Sequence, residues 1–560
     1  MGYRSVFERW CDRVEDPQLR EELNQMAQNN NDAEIEDAFY QTLEFGTAGL
    51  RGVLGAGTNR MNIYTVGQAT QGVANYLKNT KGTESSVAIC YDSRINSELF
   101  AHTAASVLAA NGIHAYVYPR LEPTPALSFA TRYLQCDIGI NVTASHNPSE
   151  YNGYKVYGAD GCQITDDIVE GVTEAITHVD PFDDVATMSF DEGCSAGLIS
   201  FIEEEVLDAY LDAVYEQHVL DNENAGPLRV VYTPLNGTGL ECVKRILEKI
   251  NVTDVHVVPE QAQPDGTFPT CTYPNPENRD ALERGIALCE QVHPDLLLAT
   301  DPDADRVGIA VKDGDDYQLL SGNEVGVLLL DFICRSRVSN NTMPTDPVAV
   351  TTIVSTSLVE EVAATYGVEV RRVLTGFKWI GDQIARLEEG GHPERFVFGF
   401  EESYGYLAGT HARDKDAVVA SMLICEMARY YRGLGKNLYQ AMQDLYKQYG
   451  YHLNRTLSFT FKGVSGAAHI SELMASLRSD APKSLGGFAV QEVLDYQDGV
   501  GDLPCANVIE LRLEDSHKVI IRPSGTEPKI KAYVFTVGKT AEAALAVGDT
   551  LSEDITSFMN

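Results

Sequence analysis

Two short stretches bring together residue types that can do chemistry. Val142-Thr143-Ala144-Ser145-His146-Asn147-Pro148 puts a hydroxyl where the apolar run Asp137 to Asn141 gives way to a loop, and strand ends are where α/β sheets place reacting groups. Taken alone, Ser145 and Asn147 would serve equally well as turn residues before a proline. The apolar run Asp295 to Thr300 leads into Asp301-Pro302-Asp303-Ala304-Asp305-Arg306. On extended backbone alternate side chains share a face, so these three carboxylates are expected to converge and to need a cation. An EF-hand opens with the same alternation, but Arg306 and Lys312 stand where its loop needs glycine and glutamate. Oxygen-only ligation favours Mg²⁺.

Three other stretches could grip a ligand. In Gly399-Phe400-Glu401-Glu402-Ser403-Tyr404-Gly405, a carboxylate and a hydroxyl two residues apart suit neighbouring sugar hydroxyls. Arg522-Pro523-Ser524-Gly525-Thr526-Glu527-Pro528-Lys529 lies between strand-like Val519 to Ile521 and Ile530 to Thr536. Its hydroxyls, its glycine N–H and its two flanking cations make an anion nest, whereas a plain hairpin turn would need only the glycine. Phe45 to Gly52 crowds glycines around Arg51, which suits an anion or a tight surface turn equally.

The elements that must position these loops alternate. A helical lead-in over 1–44 precedes strand-like Val87 to Tyr91, helical Glu98 to Asn111, and strand-like Ala115 to Tyr118 and Asp137 to Val142. The pattern recurs from Leu228 and again from Glu324, which predicts α/β domains with parallel or mixed sheets. The stretch from Gly161 to Gly197 reads as acidic and irregular. At 560 residues the chain is too long for one core. Its divisions are placed at 1–206, 207–324, 325–446 and 447–560.

With 81 acidic and 43 basic residues the formal charge is −38, and without a basic run no nucleic-acid partner is expected. No apolar run approaches the ~18 residues of a membrane span, and the first residues lack a secretory h-region. Eleven cysteines without a C-x-x-C pair suggest a reduced, cytoplasmic protein.

Together the stretches T-A-S-H-N-P, D-P-D-A-D-R, the E-x-S loop and R-P-S-G-T-E-P resemble the α-D-phosphohexomutase family, from about Phe45 to the C-terminus. The resemblance implies four domains around one cleft: three related α/β mixed-sheet domains and a smaller C-terminal α+β domain. It implies that Ser145 cycles between free and phosphorylated states, with His146 beside it and Arg51, Arg306 and Lys155 as neighbours, Lys155 being a plausible acid/base. Asp301, Asp303 and Asp305 resemble the Mg²⁺ ligands, together with a phosphoserine oxygen on Ser145. Substrate contacts carry over to Thr375, Gly376, Lys378, Glu401, Ser403, Arg522, Ser524, Gly525, Thr526 and Lys529.

Phe400 stands directly before Glu401, where many members have glycine. With Thr375 to Ile380 this resembles the longer branch that contains phosphoglucomutase-2-like and phosphopentomutase enzymes. The implied reaction is reversible interconversion of a hexose 1-phosphate and 6-phosphate through a 1,6-bisphosphate. Glucose is the expected sugar, catalytic glucose 1,6-bisphosphate the activator, and mannose or pentose phosphates the alternatives. A sugar phosphatase would share the phosphoserine, but it would not need separate sugar and phosphate loops. Sugar phosphates are thus the expected partners of a monomer or homodimer.

Overall fold

The computed structural model describes residues 2–29, 31–46, 49–82, 84–223, 225–461, 463–524 and 529–559. Four sheets organise the chain. The first runs Leu50–Val53, Tyr151–Gly158, Ile138–Val142, Ser86–Tyr91, His114–Val117 and Ile199–Phe201 in spatial order. The second runs Asp316–Leu320, Val307–Asp313, Leu296–Thr300, Arg229–Thr233 and Asp254–Val257. The third runs Glu369–Val373, Val348–Thr352, Phe396–Glu401 and Gly405–Leu407.

One device repeats in these three sheets. A strand inside a parallel set, Ile138–Val142, Leu296–Thr300 or Phe396–Glu401, is followed by a loop and then by an antiparallel return strand. The outgoing strands are apolar and buried along their whole length, as strands covered on both faces must be. Ser145, the three aspartates and the Glu401 to Gly405 turn therefore occupy the same topological position in three related units. The fourth sheet, whose strands Tyr451–Thr460, Lys529–Gly538, Lys518–Pro523, Ile509–Leu513, Phe488–Asp495 and Ser484–Leu485 are antiparallel throughout, completes the expected α+β part.

The lead-in is helical, with Tyr3–Arg13, Pro17–Asn29 and Asp32–Phe39 gathered on Trp10, whose ring meets Phe39, Tyr64 and Phe182 edge-on. The stretch after Gly161 is more regular than its composition suggests, since Asp166–Thr177 and Phe190–Ser195 are helices. Apolar residues at helical spacing, Val169, Val172 and Ile176, pack there against the first sheet's core. One apolar cluster runs through the first three sheets and takes in helix Ala417–Gly433, which is buried on nearly every side. The three loops are thus carried on a shared core. Among the described residues no helix is long and apolar enough to cross a membrane.

Candidate active site

Ser145 is 4% exposed and adopts a left-handed backbone conformation, φ 51°. Non-glycine residues hold such a conformation only when their surroundings fix it. Thr143 Oγ1 accepts the Ser145 N–H at 2.8 Å, and the Ser145 hydroxyl donates to Asp301 Oδ2 at 2.8 Å and lies 3.1 Å from His146 Nδ1. Burial, and then the charges of Arg306 and Arg51, hold the His146 imidazole well below its usual range, so it is neutral. Arg51 sits on the strand that pairs with Tyr151–Gly158 and reaches Asn147 Oδ1 at 3.5 Å. A Cβ on Gly49, at φ 76°, would meet Tyr154 O, so this glycine is required.

The three aspartates converge, but not on extended backbone. Residues 301–305 form turns, with Ala304 at φ 49°, and Asp301 Oδ1 accepts the N–H groups of Asp305 and Arg306 at 3.1 and 2.9 Å. One oxygen from each carboxylate lies within 4.8 Å of the others, and among the described residues this is the one such group of potential metal ligands. Three other elements pin the loop: Thr124 N–H to Asp303 O at 2.9 Å, Val307 N–H to Tyr404 O at 3.1 Å, and Ala417 N–H to Ala304 O at 3.2 Å.

Lys155 Nζ is 3.2 Å from Asp303 Oδ2, Lys415 Nζ is 3.0 Å from Asp305 Oδ2, and Thr124 Oγ1 donates to Asp303 Oδ2 at 2.9 Å. Asp303 Oδ1 and Asp305 Oδ1 are buried without a hydrogen-bond partner. Burial, then Asp303 and Asp305, push the Asp301 carboxyl well above the carboxylate range. Burial acts the same way on Asp303, but the Lys155 charge, the Asp301 hydrogen bond, the Lys415 charge and the Thr124 hydroxyl together outweigh it and hold that group below the range. Orphaned oxygens in an all-oxygen cluster are what a small, hard divalent cation satisfies, so these residues fit a metal.

Glu401 is 5% exposed and its Oε1 accepts the Gly376 N–H at 2.8 Å, which brings the Thr375 to Lys378 stretch to the Glu401 loop. Lys378 Nζ stands 4.8 Å over the Trp379 ring. Ser403 lies in the tight turn between Phe396–Glu401 and Gly405–Leu407. Arg306 binds Glu277 at 2.7 Å and approaches Asp305 at 3.8 Å, and its charge also acts on Glu401, so it links the metal and Glu401 loops. Burial, followed by Glu401, pushes Glu402 up to about 7.

On the fourth sheet Arg522 pairs in register with Lys531, and the Ser524 N–H donates to Lys529 O at 2.7 Å. This sheet faces the Glu401 loop across residues lining one cavity, and burial lowers the Lys531 pKa against the opposing charge of Glu402. A cavity of about 380 Å³ lined by Glu277, Glu402, Tyr404 and Tyr533 lies between them. Gly525 and Thr526, expected in this loop, fall outside the described residues.

Sequence profiles of phosphoglucomutase/phosphomannomutase α/β/α domains I, II and III match residues 42–182, 208–314 and 321–449. The chain belongs to this family. Two relatives named phosphoglucomutase share its length. That of Staphylococcus haemolyticus is 36% identical over 89% of this chain and 91% of its own, and that of Staphylococcus epidermidis 35% identical over 94% and 95%. Among solved structures, a phosphoglucomutase/phosphomannomutase family protein from Burkholderia thailandensis superposes with a TM-score of 0.67 at 19% identity, covering 91% of this chain and 96% of its own. The open form of pp63/parafusin from Paramecium gives 0.66 at 16%, covering 93% and 94%. Both share the fold.

In this mutase family member, Ser145, His146, Lys155, Asp301, Asp303 and Asp305 lie together, with Arg51 at the edge through Asn147 and Arg306 bridging towards Glu401. Arg94, Lys415, Glu277 and Thr124 belong to the same site but were not expected. Arg94 follows strand Ser86–Tyr91, the parallel neighbour of the strand leading to Ser145, so the strand-end rule could have found it. Lys415, in Arg413-Asp414-Lys415-Asp416, reads from sequence as a solvated charged turn.

Proposed function

We propose that the protein interconverts glucose 1-phosphate and glucose 6-phosphate, with Ser145 carrying the phosphoryl group and glucose 1,6-bisphosphate as the intermediate. The observation that carries this reading is the 2.8 Å contact between Ser145 Oγ and Asp301, within a three-aspartate cluster where three sheets meet. The names of the relatives support the choice of sugar. In the first half-reaction the P–O bond to Ser145 breaks as one forms to the free sugar hydroxyl, whose proton passes to Ser145 Oγ. In the second, with the bisphosphate turned over, the P–O bond to the other sugar oxygen breaks as one forms to Ser145 Oγ, whose proton passes to that sugar oxygen. Lys155, held against Asp303, is assigned to handling these protons. Asp301, Asp303 and Asp305, with an oxygen of the Ser145 phosphoryl group, would hold Mg²⁺, which when bound supplies charge neutralisation for phosphoryl transfer.

Glu401, Ser403 and the Thr375 to Lys378 stretch are assigned to the sugar, and Arg522, Ser524, Gly525, Thr526 and Lys529 to the phosphate that is not being transferred. Because the bisphosphate must be held in both orientations, the Arg522 loop recognises charge more than sugar. Eleven cysteines without a disulfide support a reducing, cytoplasmic setting.

The test is turnover of glucose, mannose and ribose 1-phosphates with Mg²⁺ and a trace of glucose 1,6-bisphosphate, with Ser145→Ala as the control. Highest kcat/KM for glucose 1-phosphate is expected, without release of inorganic phosphate and with no turnover by Ser145→Ala. A ribose preference would reassign the sugar loops to a pentose. Phosphate release without isomerisation would make the protein a hydrolase.

A further inference from the structure

The Ser145 loop is held from beneath by one side chain. Arg94 is wholly buried, and its guanidinium donates to four backbone carbonyls: Ser145 at 2.6 Å, Pro148 at 2.8 Å, Tyr151 at 3.0 Å, and Asn147. Its own backbone is fixed in turn, because Asp92 Oδ1 accepts the Arg94 N–H at 2.9 Å and the Ser97 hydroxyl at 2.7 Å. Asn152, just past the loop, donates to Ser97 Oγ and to Ile95 O, both at 3.0 Å. A planar fork with five donors can serve carbonyls at both ends of a seven-residue loop, which an ammonium cannot.

Arg94 also faces the next domain. Its guanidinium lies 5.0 Å from the ring centroid of Phe268, which is 3% exposed, and its backbone bridges to Gly266. There is no room for a side chain at that contact, since a Cβ on Gly266 would lie 2.4 Å from Ile95 N and 2.7 Å from Ser93 O. From Gly266 the contacts continue to the metal loop. The Asp265 N–H donates to Asn236 O at 3.0 Å, Asn236 Nδ2 donates to Gln263 O at 2.8 Å, and the Thr238 N–H donates to Pro302 O at 2.8 Å. Gly237 rests so closely on Pro302 that its Cβ would meet the Pro302 backbone at 2.4 Å. The loop bearing the serine and the loop bearing the aspartates are therefore set against each other by one unbroken run of backbone contacts with Arg94 at its head.

We infer that Arg94 is a positioning residue for phosphoryl transfer, fixing the Ser145 loop and registering it, through Gly266 and Phe268, against the three-aspartate loop of the second sheet. The inference rests on Ser145 being the phosphoryl carrier. It touches neither substrate nor metal ligand side chains, so its effect falls on the alignment of serine and aspartates and leaves the sugar and phosphate contacts alone.

The experiment compares the full-length wild type with Arg94→Lys and Gly266→Ala on the sugar 1-phosphate that the wild type prefers. Misplacing a reacting group by about 1 Å costs on the order of 10²-fold. Arg94→Lys should lower kcat by about that factor with KM changed less than about twofold, because Glu401 and Arg522 keep their places. Gly266→Ala, remote from the reacting atoms, should lower kcat about tenfold, again at constant KM. A kcat for Arg94→Lys within about threefold of wild type, or a loss confined to KM, overturns the inference. If Arg94→Lys does not fold, an unchanged kcat in Gly266→Ala overturns it. A wild type inert towards every sugar phosphate defeats the functional reading separately. Amide exchange over residues 143–152 still decides the clamp in that case: faster exchange in Gly266→Ala supports it, and unchanged exchange removes it.

Discussion

A buried charge is tolerated only where a partner offsets its lost hydration, and two lysines of this protein show both outcomes. Lys415 stands among Asp305, Asp414 and Glu401, and although burial works against its charge these carboxylates raise its pKa, so it stays an ammonium. Lys518, at the start of an inner strand of the fourth sheet, donates to Ile353 O at 3.3 Å and lies 4.5 Å from the face of Phe535, and burial followed by the Arg372 charge lowers it to about 8 against the weaker pull of Glu510 and Glu360. The unfolded chain keeps this proton to about pH 10.4, so between about pH 8 and 10.4 the unfolded state binds more protons and stability rises with pH. Below about pH 8 the full cost is present. Lys518→Met should therefore raise stability at pH 7 by about 1–2 kcal/mol, after allowing for solvent at the pocket edge. Urea unfolding of both proteins at pH 7 and pH 10 checks this, and an advantage that grows with pH would refute it.

Elements explain how a departure in the Glu401 loop is accommodated. Phe400 is 1% exposed, its carbonyl accepts the Thr351 hydroxyl at 2.8 Å, and its ring packs on helix Gly322–Ser339 where a Cβ on Gly326 would lie 2.3 Å from it. Phenylalanine before Glu401 is thus matched by glycine on the facing helix. Gly326→Ala gains about 1 kcal/mol of helix propensity but overpacks the ring at about 1–3 kcal/mol, so a net loss is expected. The displaced ring should carry Glu401 with it and raise KM for the sugar phosphate more than it lowers kcat, and adding Phe400→Leu should restore both. Steady-state kinetics and unfolding of the single and double variants test this, and a KM unaffected by Gly326→Ala would separate Phe400 from the site. This pairing was not legible in the sequence, because residues 326 and 400 meet only in the fold. The outgoing strands were legible, since burial on both faces leaves an unbroken apolar run such as Leu296–Thr300. The return strand Tyr151–Gly158 was not, because its Asn152-Gly153 pair and polar Lys155 read as a loop. The aspartate cluster was expected for an incomplete reason: its oxygens meet through a turn closed on Asp301 Oδ1, which alternation alone does not reveal.

Across the whole molecule the proposed chemistry is divided among sheets. The second sheet carries the aspartates, the third Glu401 and the fourth Arg522, while Ser145 comes from the first. Cation binding should then depend on the second sheet, and phosphate binding on the fourth. Asp303 makes its contacts with Thr124 and Lys155 in the first sheet's domain, whereas Arg522 pairs with Lys531 inside the fourth. Removing either side chain thus leaves the other's surroundings in place, and effects at such separated sites add with little coupling. Asp303→Ala should weaken Mg²⁺ by at least about tenfold while changing glucose 1-phosphate affinity little, because a buried ligand is lost and Lys155 is freed. Arg522→Ala should do the reverse, since a charge-assisted bond to phosphate is worth about 1.5–3 kcal/mol, or roughly 10- to 150-fold in affinity. Titration calorimetry of each variant with Mg²⁺ and with glucose 1-phosphate measures both numbers. Equal loss of both ligands in each variant, with cooperative unfolding intact, would mean that the loops act as one coupled site and that the sheets do not divide the work.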